Sequence, residues 1–313
     1  MKRILIVAIV LILIAVASTY FLIPTRIVIN KSLVVGANKD ALYRKVGITN
    51  TWTEWWPGST NQDGQGYTYV SNSFSFKPGL LQFTSVPLTI ELKKLTLRTD
   101  LTFLQVHLDS TRLQLGTVVP TSSNPIKRIA RYSEAKKLAK SFDEILYAIA
   151  KQYSNIQNLY GYDIQKKSVM DSTLIFISEE VKGPPPVKRI YELVDQLRSY
   201  IHNHNAKETN YPMLNVFTND SINYLLKVAI PVDKILPDSG NIHYRWMLGG
   251  GNILITEVKG GNHAIQKAYR QIRHYVDDFD RVAPAIPFES LVTDRRSEPD
   301  TNKWVTRIYF PVM

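Results

Sequence analysis

Val181-Lys182-Gly183 and Val258-Lys259-Gly260 open two copies of one plan, and Ile230-Pro231-Val232 and Phe310-Pro311-Val312 close them. Between each opening and its close lie an amphipathic helical stretch and two strand-like runs. Each copy therefore reads strand, helix, strand, strand. Tyr191 stands eight residues after Gly183 and Tyr269 eight after Gly261, inside the two helical stretches. One such unit cannot bury both faces of its sheet. Two copies are expected to pair around a pseudo-twofold cavity, where ligands usually sit.

The element boundaries follow from local signals. Ser172–Glu180 is the first expected strand, and Pro184-Pro185-Pro186 sets the entry to a helix over Val187–His202, because proline is tolerated only in the first helical turn. Met213–Thr218 and Ile222–Val232 pair next, with Asn219-Asp220-Ser221 as their hairpin turn. The second copy repeats this with a strand over Asn252–Val258, a helix over His263–Phe279, and strands over Ile286–Asp294 and Lys303–Val312. Tyr160–Met170 reads as a linker, and Gly249-Gly250-Gly251 as a turn.

Upstream, Arg26–Leu33 reads as an edge strand and Asn38–Val46 as a short helix. Trp52-Thr53-Glu54-Trp55-Trp56-Pro57 follows. Three tryptophans so close are expected in a core or cavity wall, since each ring removes a large apolar area from water. Strands over Tyr67–Lys77, Leu81–Leu95, Leu97–Leu108 and Arg112–Val119 come next, divided by Lys77-Pro78-Gly79 and Asp109-Ser110 turns. A long helix then carries Ala135, Leu138, Phe142, Ile145, Ile149, Tyr153 and Ile156 at three- and four-residue steps, with Lys136, Lys137, Lys140 and Lys151 on its other side. This order is the helix-grip plan. With Trp-x-x-Trp-Trp-Pro among the small helices, the region around 27–160 resembles the START/polyketide-cyclase-like superfamily. The resemblance implies a cavity between helix and sheet for a lipid or aromatic ligand. No acid-base cluster points into it: Asp100, His107 and Asp109 read as surface residues.

Ile4–Ile23 is apolar except for Ser18, Thr19 and Tyr20, follows Lys2-Arg3, and has about the length of a bilayer-spanning helix. A single-pass anchor or a secretory signal is expected, with the amino terminus cytoplasmic and the remainder extracytoplasmic. The formal net charge is +11. Residues 24–168 hold 19 Lys+Arg against 10 Asp+Glu, and residues 169–313 hold 17 against 17. The basic excess thus sits next to the expected anchor, where anionic headgroups would attract it, and membrane lipid is an expected partner. Nucleic acid is not, for want of a basic helix-turn-helix or an aromatic-interleaved RNA motif. The absence of cysteine excludes disulfides, thiol catalysis and cysteine-zinc sites.

Lys259-Gly260-Gly261, Ala268-Tyr269, Pro287-Phe288-Glu289 and the ending Trp304-x-Thr306-x-Ile308-x-x-Pro311-Val312 together resemble the GyrI-like small-molecule-binding domain over residues 170–313. That resemblance places Glu289 at the floor of a cavity for cationic aromatic ligands. A carboxylate among apolar neighbours is costly to bury, and a bound cation with aromatic walls would offset the cost. Trp304, Tyr269, Tyr191 and Phe288 are the candidate walls. Leu291 stands where the family often has tyrosine, which weakens the case for chemistry. Glu289 as general base of a hydrolase is the alternative, and docking of another envelope protein a third reading. His202-x-His204 at a helix end reads as capping rather than metal ligation. Neither metal nor cofactor is expected.

The expected fold class is α+β: an N-terminal transmembrane helix over residues 1–24, a helix-grip domain over 25–160 with an antiparallel sheet around a long C-terminal helix, and a duplicated strand-helix-strand-strand domain over 170–313. The expected work is non-enzymatic binding or sensing of hydrophobic or cationic small molecules at a membrane, with the oligomeric state left open.

Overall fold

The computed structural model describes residues 2–63, 66–92, 95–170, 173–218, 222–247 and 249–313. The fold is α+β with two antiparallel sheets, one in each of two units, Met1–Leu159 and Tyr160–Met313.

The first unit starts with α1 (Lys2–Leu22), β1 (Arg26–Val35) and α2 (Lys39–Val46). Asn38 caps α2, its side chain accepting from the Asp40 and Ala41 amides. Strands β2 (Ser59–Asp63), β3 (Gly66–Ser71), β4 (Phe74–Pro78), β5 (Ser85–Leu92), β6 (Leu95–His107) and β7 (Ser110–Pro120) form the sheet with β1, in the order β1-β7-β6-β5-β4-β3-β2. The single strand expected over Tyr67–Lys77 is instead the hairpin β3-β4. Asn72 and Ser73 take positive φ of 48° and 74°, the left-handed pair that turns a two-residue hairpin.

Helix α3 (Pro125–Tyr153) starts at Asn124, whose side chain accepts from the Ile126 and Lys127 amides, with Pro125 in the first turn where it forfeits no bond. Its expected stripe is buried from Ala135 through Leu138, Phe142, Ile145 and Ile149 to Tyr153, and it packs on β1 and β7, whereas Ile156 falls beyond the end of the helix and is 38% exposed. The short helix α4 (Ile156–Tyr160) follows.

The tryptophans are core. Trp52 is fully buried and Trp55 and Trp56 are 7% exposed. Trp52 and Trp56 stack at 5.8 Å, and both meet Tyr69 at 5.3 and 5.1 Å. Their indole N–H groups donate to the Val46 and Val70 carbonyls at 2.6 and 3.1 Å, which lets polar tips accompany apolar rings into the interior.

The expected transmembrane helix is corrected. Among the described residues no helix is long and apolar enough to cross a membrane. The last turn of α1 is engaged by the folded unit: Tyr20 Oη donates to the Ser123 carbonyl at 2.6 Å, and the Arg128 guanidinium lies 5.0 Å from the Tyr20 ring centroid. Arg128 Nε also donates to the Ile23 carbonyl at 2.8 Å. These contacts tie the end of the helix to the rest of the unit, while Ile6, Val7, Leu11 and Leu13 further up it are 60%, 59%, 61% and 62% exposed.

The second unit comprises β8 (Gln165–Ser168), β9 (Thr173–Lys182), α5 (Val187–Asn203), β10 (Met213–Thr218), β11 (Asn223–Pro231), β12 (His243–Trp246), β13 (Asn252–Lys259), α6 (Asn262–Asp278), β14 (Phe288–Leu291) and β15 (Val305–Val312). Its strand order is β12-β9-β11-β10-β14-β15-β13-β8. The six central strands read the same from either end by repeat: first, third, second, then second, third, first. The pseudo-twofold axis falls between β10 and β14. Helix α5 packs on β9 and β11, and α6 on β13 and β15, so each helix covers its own repeat. The sequence reading missed β8, inside the supposed linker, and β12. Strand β14 is shorter than expected at both ends; at its start Pro287 offers no N–H to the ladder. The Asn219-Asp220-Ser221 turn lies outside the described residues.

Both repeat openings depend on glycine geometry. Gly183 and Gly260 take φ of 76° and 127°, and a Cβ on Gly260 would lie 2.9 Å from that of Ala264. Gly260→Ala is expected to lower stability by about 1–3 kcal/mol in denaturant unfolding. Trp52→Ala should cost about 3–5 kcal/mol in the same measurement; an unchanged midpoint would show that the indole is not a core element.

Candidate functional site

Strand alternation sends Glu289 and Leu291 to one face of β14 and Phe288 to the other. Glu289 pairs with Ile308 and Leu291 with Thr306 across to β15, and Leu291 belongs to the buried cluster beneath α5. The Glu289 carboxylate therefore points to the helix side, near the axis between the repeats, where water cannot solvate it fully.

A cation of the protein itself meets it there. Arg295 Nη2 donates to Glu289 Oε2 at 3.0 Å, and the two side chains are 8% and 15% exposed. The same Nη2 donates to Thr306 Oγ1 at 3.0 Å, and the guanidinium carbon lies 4.8 Å from the Trp304 ring centroid. Carboxylate, hydroxyl and aromatic face thus surround one guanidinium. Trp304 is held in turn by its indole N–H, which donates to the Glu298 carbonyl at 2.8 Å.

Tyr191 positions the segment that carries Arg295. This buried side chain, on α5, accepts from the Arg295 amide at 2.9 Å and donates to the Thr293 carbonyl at 3.1 Å. Burial pushes its phenol pKa up. Its ring also faces the Arg296 guanidinium at 4.5 Å, and Arg296 bridges to Asp195 and Asp294 at 2.6 and 2.8 Å. The strap 294–296 is consequently tied both to α5 and to the sheet.

Burial pushes the Glu289 carboxyl up, and the Arg295 charge opposes this without reversing it. Tyr269, on α6, has its phenol pushed far above the ordinary range, first by burial and then by the Glu289 charge, with Arg273 opposing. The tyrosine accordingly shares the carboxylate's electrostatic environment.

Of the five residues expected at the site, Glu289 and Trp304 converge on Arg295, Tyr191 holds its strap, and Tyr269 senses Glu289. Phe288 is elsewhere. It stacks parallel on Tyr309 at 5.0 Å and lines a cavity of about 880 Å³ on the opposite face of the sheet. Arg295 escaped the sequence reading, although Asp294-Arg295-Arg296, with its first arginine six residues past Glu289, was the available signal. His204 is not arranged as a ligand: its Nδ1 lies 2.9 Å from the Tyr200 carbonyl and its ring packs on Tyr200 at 4.1 Å. Among the described residues no group of three or more His, Asp or Glu could hold a metal ion.

No curated protein sequence matches the chain. Among solved structures, the EcmrR–DNA complex matches at 18% identity and TM-score 0.43, over 61% of this chain and 72% of that one. The EcmrR C-terminal domain matches at 18% identity and TM-score 0.40, over 49% and 98%. The Zhui aromatase/cyclase from Streptomyces sp. R1128 matches at 11% identity and TM-score 0.34, over 42% and 95%. Residues 163–313, which hold the Glu289 cluster and the cavity behind it, match the GyrI-like small molecule binding domain.

Proposed function

We propose that the Tyr160–Met313 unit binds hydrophobic organic cations without transforming them, the ligand's charge replacing the Arg295 guanidinium between Glu289 and Trp304. The observation that carries this reading is the buried carboxylate already neutralised by a cation resting on an indole. Such a site provides the two features a lipophilic cation needs, a counter-charge in a low dielectric and an electron-rich ring. The GyrI-like match over residues 163–313 supports small-molecule binding by this unit. Pairing with Arg295 works against general-base chemistry, because the guanidinium charge lowers the proton affinity of the Glu289 carboxylate.

Arg295 is then an internal competitor. Benzyltriphenylphosphonium is expected to stabilise the full-length protein against thermal unfolding, and neutral triphenylphosphine oxide to do so far less. At about 100 times its dissociation constant the cation should add about 2.7 kcal/mol. Arg295→Met removes the competitor and should tighten cation binding about tenfold or more, whereas Glu289→Gln should abolish it. Cation binding unaffected by Glu289→Gln would refute the assignment.

The pH dependence has a definite sign. With its pKa raised by burial, Glu289 protonates at a higher pH than an ordinary glutamate, and cation affinity should fall as pH drops through that raised value. In Arg295→Met the unpaired carboxylate should lower stability by about 3–5 kcal/mol at neutral pH. A carboxyl with a raised native pKa contributes stability below its unfolded value that is lost as pH rises through the native one. The deficit of this variant should therefore shrink on acidification; urea unfolding at a series of pH values measures it.

A further inference from the structure

The cavity behind the sheet has chemistry opposite to that of the Glu289 site. It encloses about 880 Å³, within the range of small-molecule pockets, and its walls are mainly apolar, with Leu174, Phe176, Met213, Ile253, Ile286 and Phe288 among them. The same alternation that turns Leu226, Val228 and Ile230 into the helix-side core sends Lys227 and Ala229 to this face. Across the sheet, Arg245 lies opposite Leu174, on the same side.

Lys227 and Arg245 are the charged side chains in the lining, which includes no aspartate or glutamate among the described residues. Neither of them takes part in a described ion pair or side-chain hydrogen bond. Lys227 is half-buried among this mainly apolar lining. At the rim, Trp246 and Ile286 are 62% and 52% exposed, large apolar surfaces left to solvent beside the two cations. A concave apolar volume edged by two unpaired positive charges is complementary to a molecule with a long apolar body and one negative end, and it repels the cations that suit Glu289.

We propose that this face is a second binding site, for lipophilic carboxylates such as fatty acids, with Lys227 and Arg245 holding the carboxylate and the acyl chain running over Phe176, Met213 and Phe288. The two ligand classes are separated by the sheet, because adjacent residues of β14, Phe288 and Glu289, point to opposite faces.

Equilibrium dialysis of laurate against the full-length protein tests this, with dodecanol as the neutral counterpart and decanoate and octanoate as shorter chains. Laurate is expected to bind much more tightly than dodecanol, and affinity should fall by up to about fourfold for each methylene removed. Lys227→Gln and Arg245→Gln should each weaken laurate binding about tenfold, the scale of one charge-assisted hydrogen bond. Ala229→Phe should block the site by filling it, with circular dichroism confirming the fold of every variant. Glu289→Gln should leave laurate binding unchanged, and Lys227→Gln should leave benzyltriphenylphosphonium binding unchanged, so either site can fail alone. Absence of laurate binding, equal affinity for dodecanol, or indifference of a folded Lys227→Gln, Arg245→Gln double variant would overturn the proposal.

Discussion

The short pairing of β10 with β14, Met213 opposite Ser290 and Leu214 opposite Glu289, joins the two repeats into one sheet. Each repeat carries its own helix, and the helices lie over the outer strands of their halves. The junction is therefore where a side chain can reach the interior without being sealed beneath its own helix. A one-residue change of register there would exchange the faces of Phe288 and Glu289. The position of the carboxylate, its pairing with Arg295 and the apolar character of the opposite cavity all depend on that register.

Burying a carboxylate beside apolar residues is unfavourable unless a partner neutralises it, and a partly satisfied ion pair can cost more than it returns. Here the cost is met by an arginine from the chain. Its Nη2 reaches both Glu289 and Thr306, while the planar group rests on Trp304. Tyr191 supports this from α5 by bonding the backbone on both sides of residue 294. The strap from Thr293 to Arg296 thus completes the site from within. Its ties are a few hydrogen bonds and ion pairs to elements that otherwise pack through apolar surface.

In the first unit the indole cluster and α3 divide the work of core formation. Trp52, Trp56, Tyr69 and Phe76 form a continuous aromatic block, and Phe76 continues it to Phe142 of the helix at 6.5 Å. Two of the three indole N–H groups bond backbone carbonyls. The tryptophans therefore fix the small-helix region against the sheet as well as filling space, which explains why a motif of three such residues falls where local structure is short and irregular.

Much of the fold was legible because its signals are local. The stripe from Ala135 to Tyr153 specifies a buried helical face, Asn38 marks a helix start, and the two Val-Lys-Gly openings mark the repeat because only glycine readily adopts the positive φ found at Gly183 and Gly260. Apolar composition was less informative at the amino terminus, where the expected span gave way to a helix whose last turn is engaged by Ser123 and Arg128. Short strands such as β8 and β12 left no sequence mark, since a four-residue edge strand is defined by its partner rather than by periodicity. Glu289 and Trp304 were readable as a carboxylate and an aromatic wall from their motifs. That Arg295 lies between them was not, because the strap's path is set by Tyr191 on a helix about a hundred residues earlier. Sequence by itself determined the repeat, the principal elements and the residue types of the candidate site; tertiary structure alone decided which charge meets which, because alternation and register assign side chains to faces only after strands distant in the chain have paired.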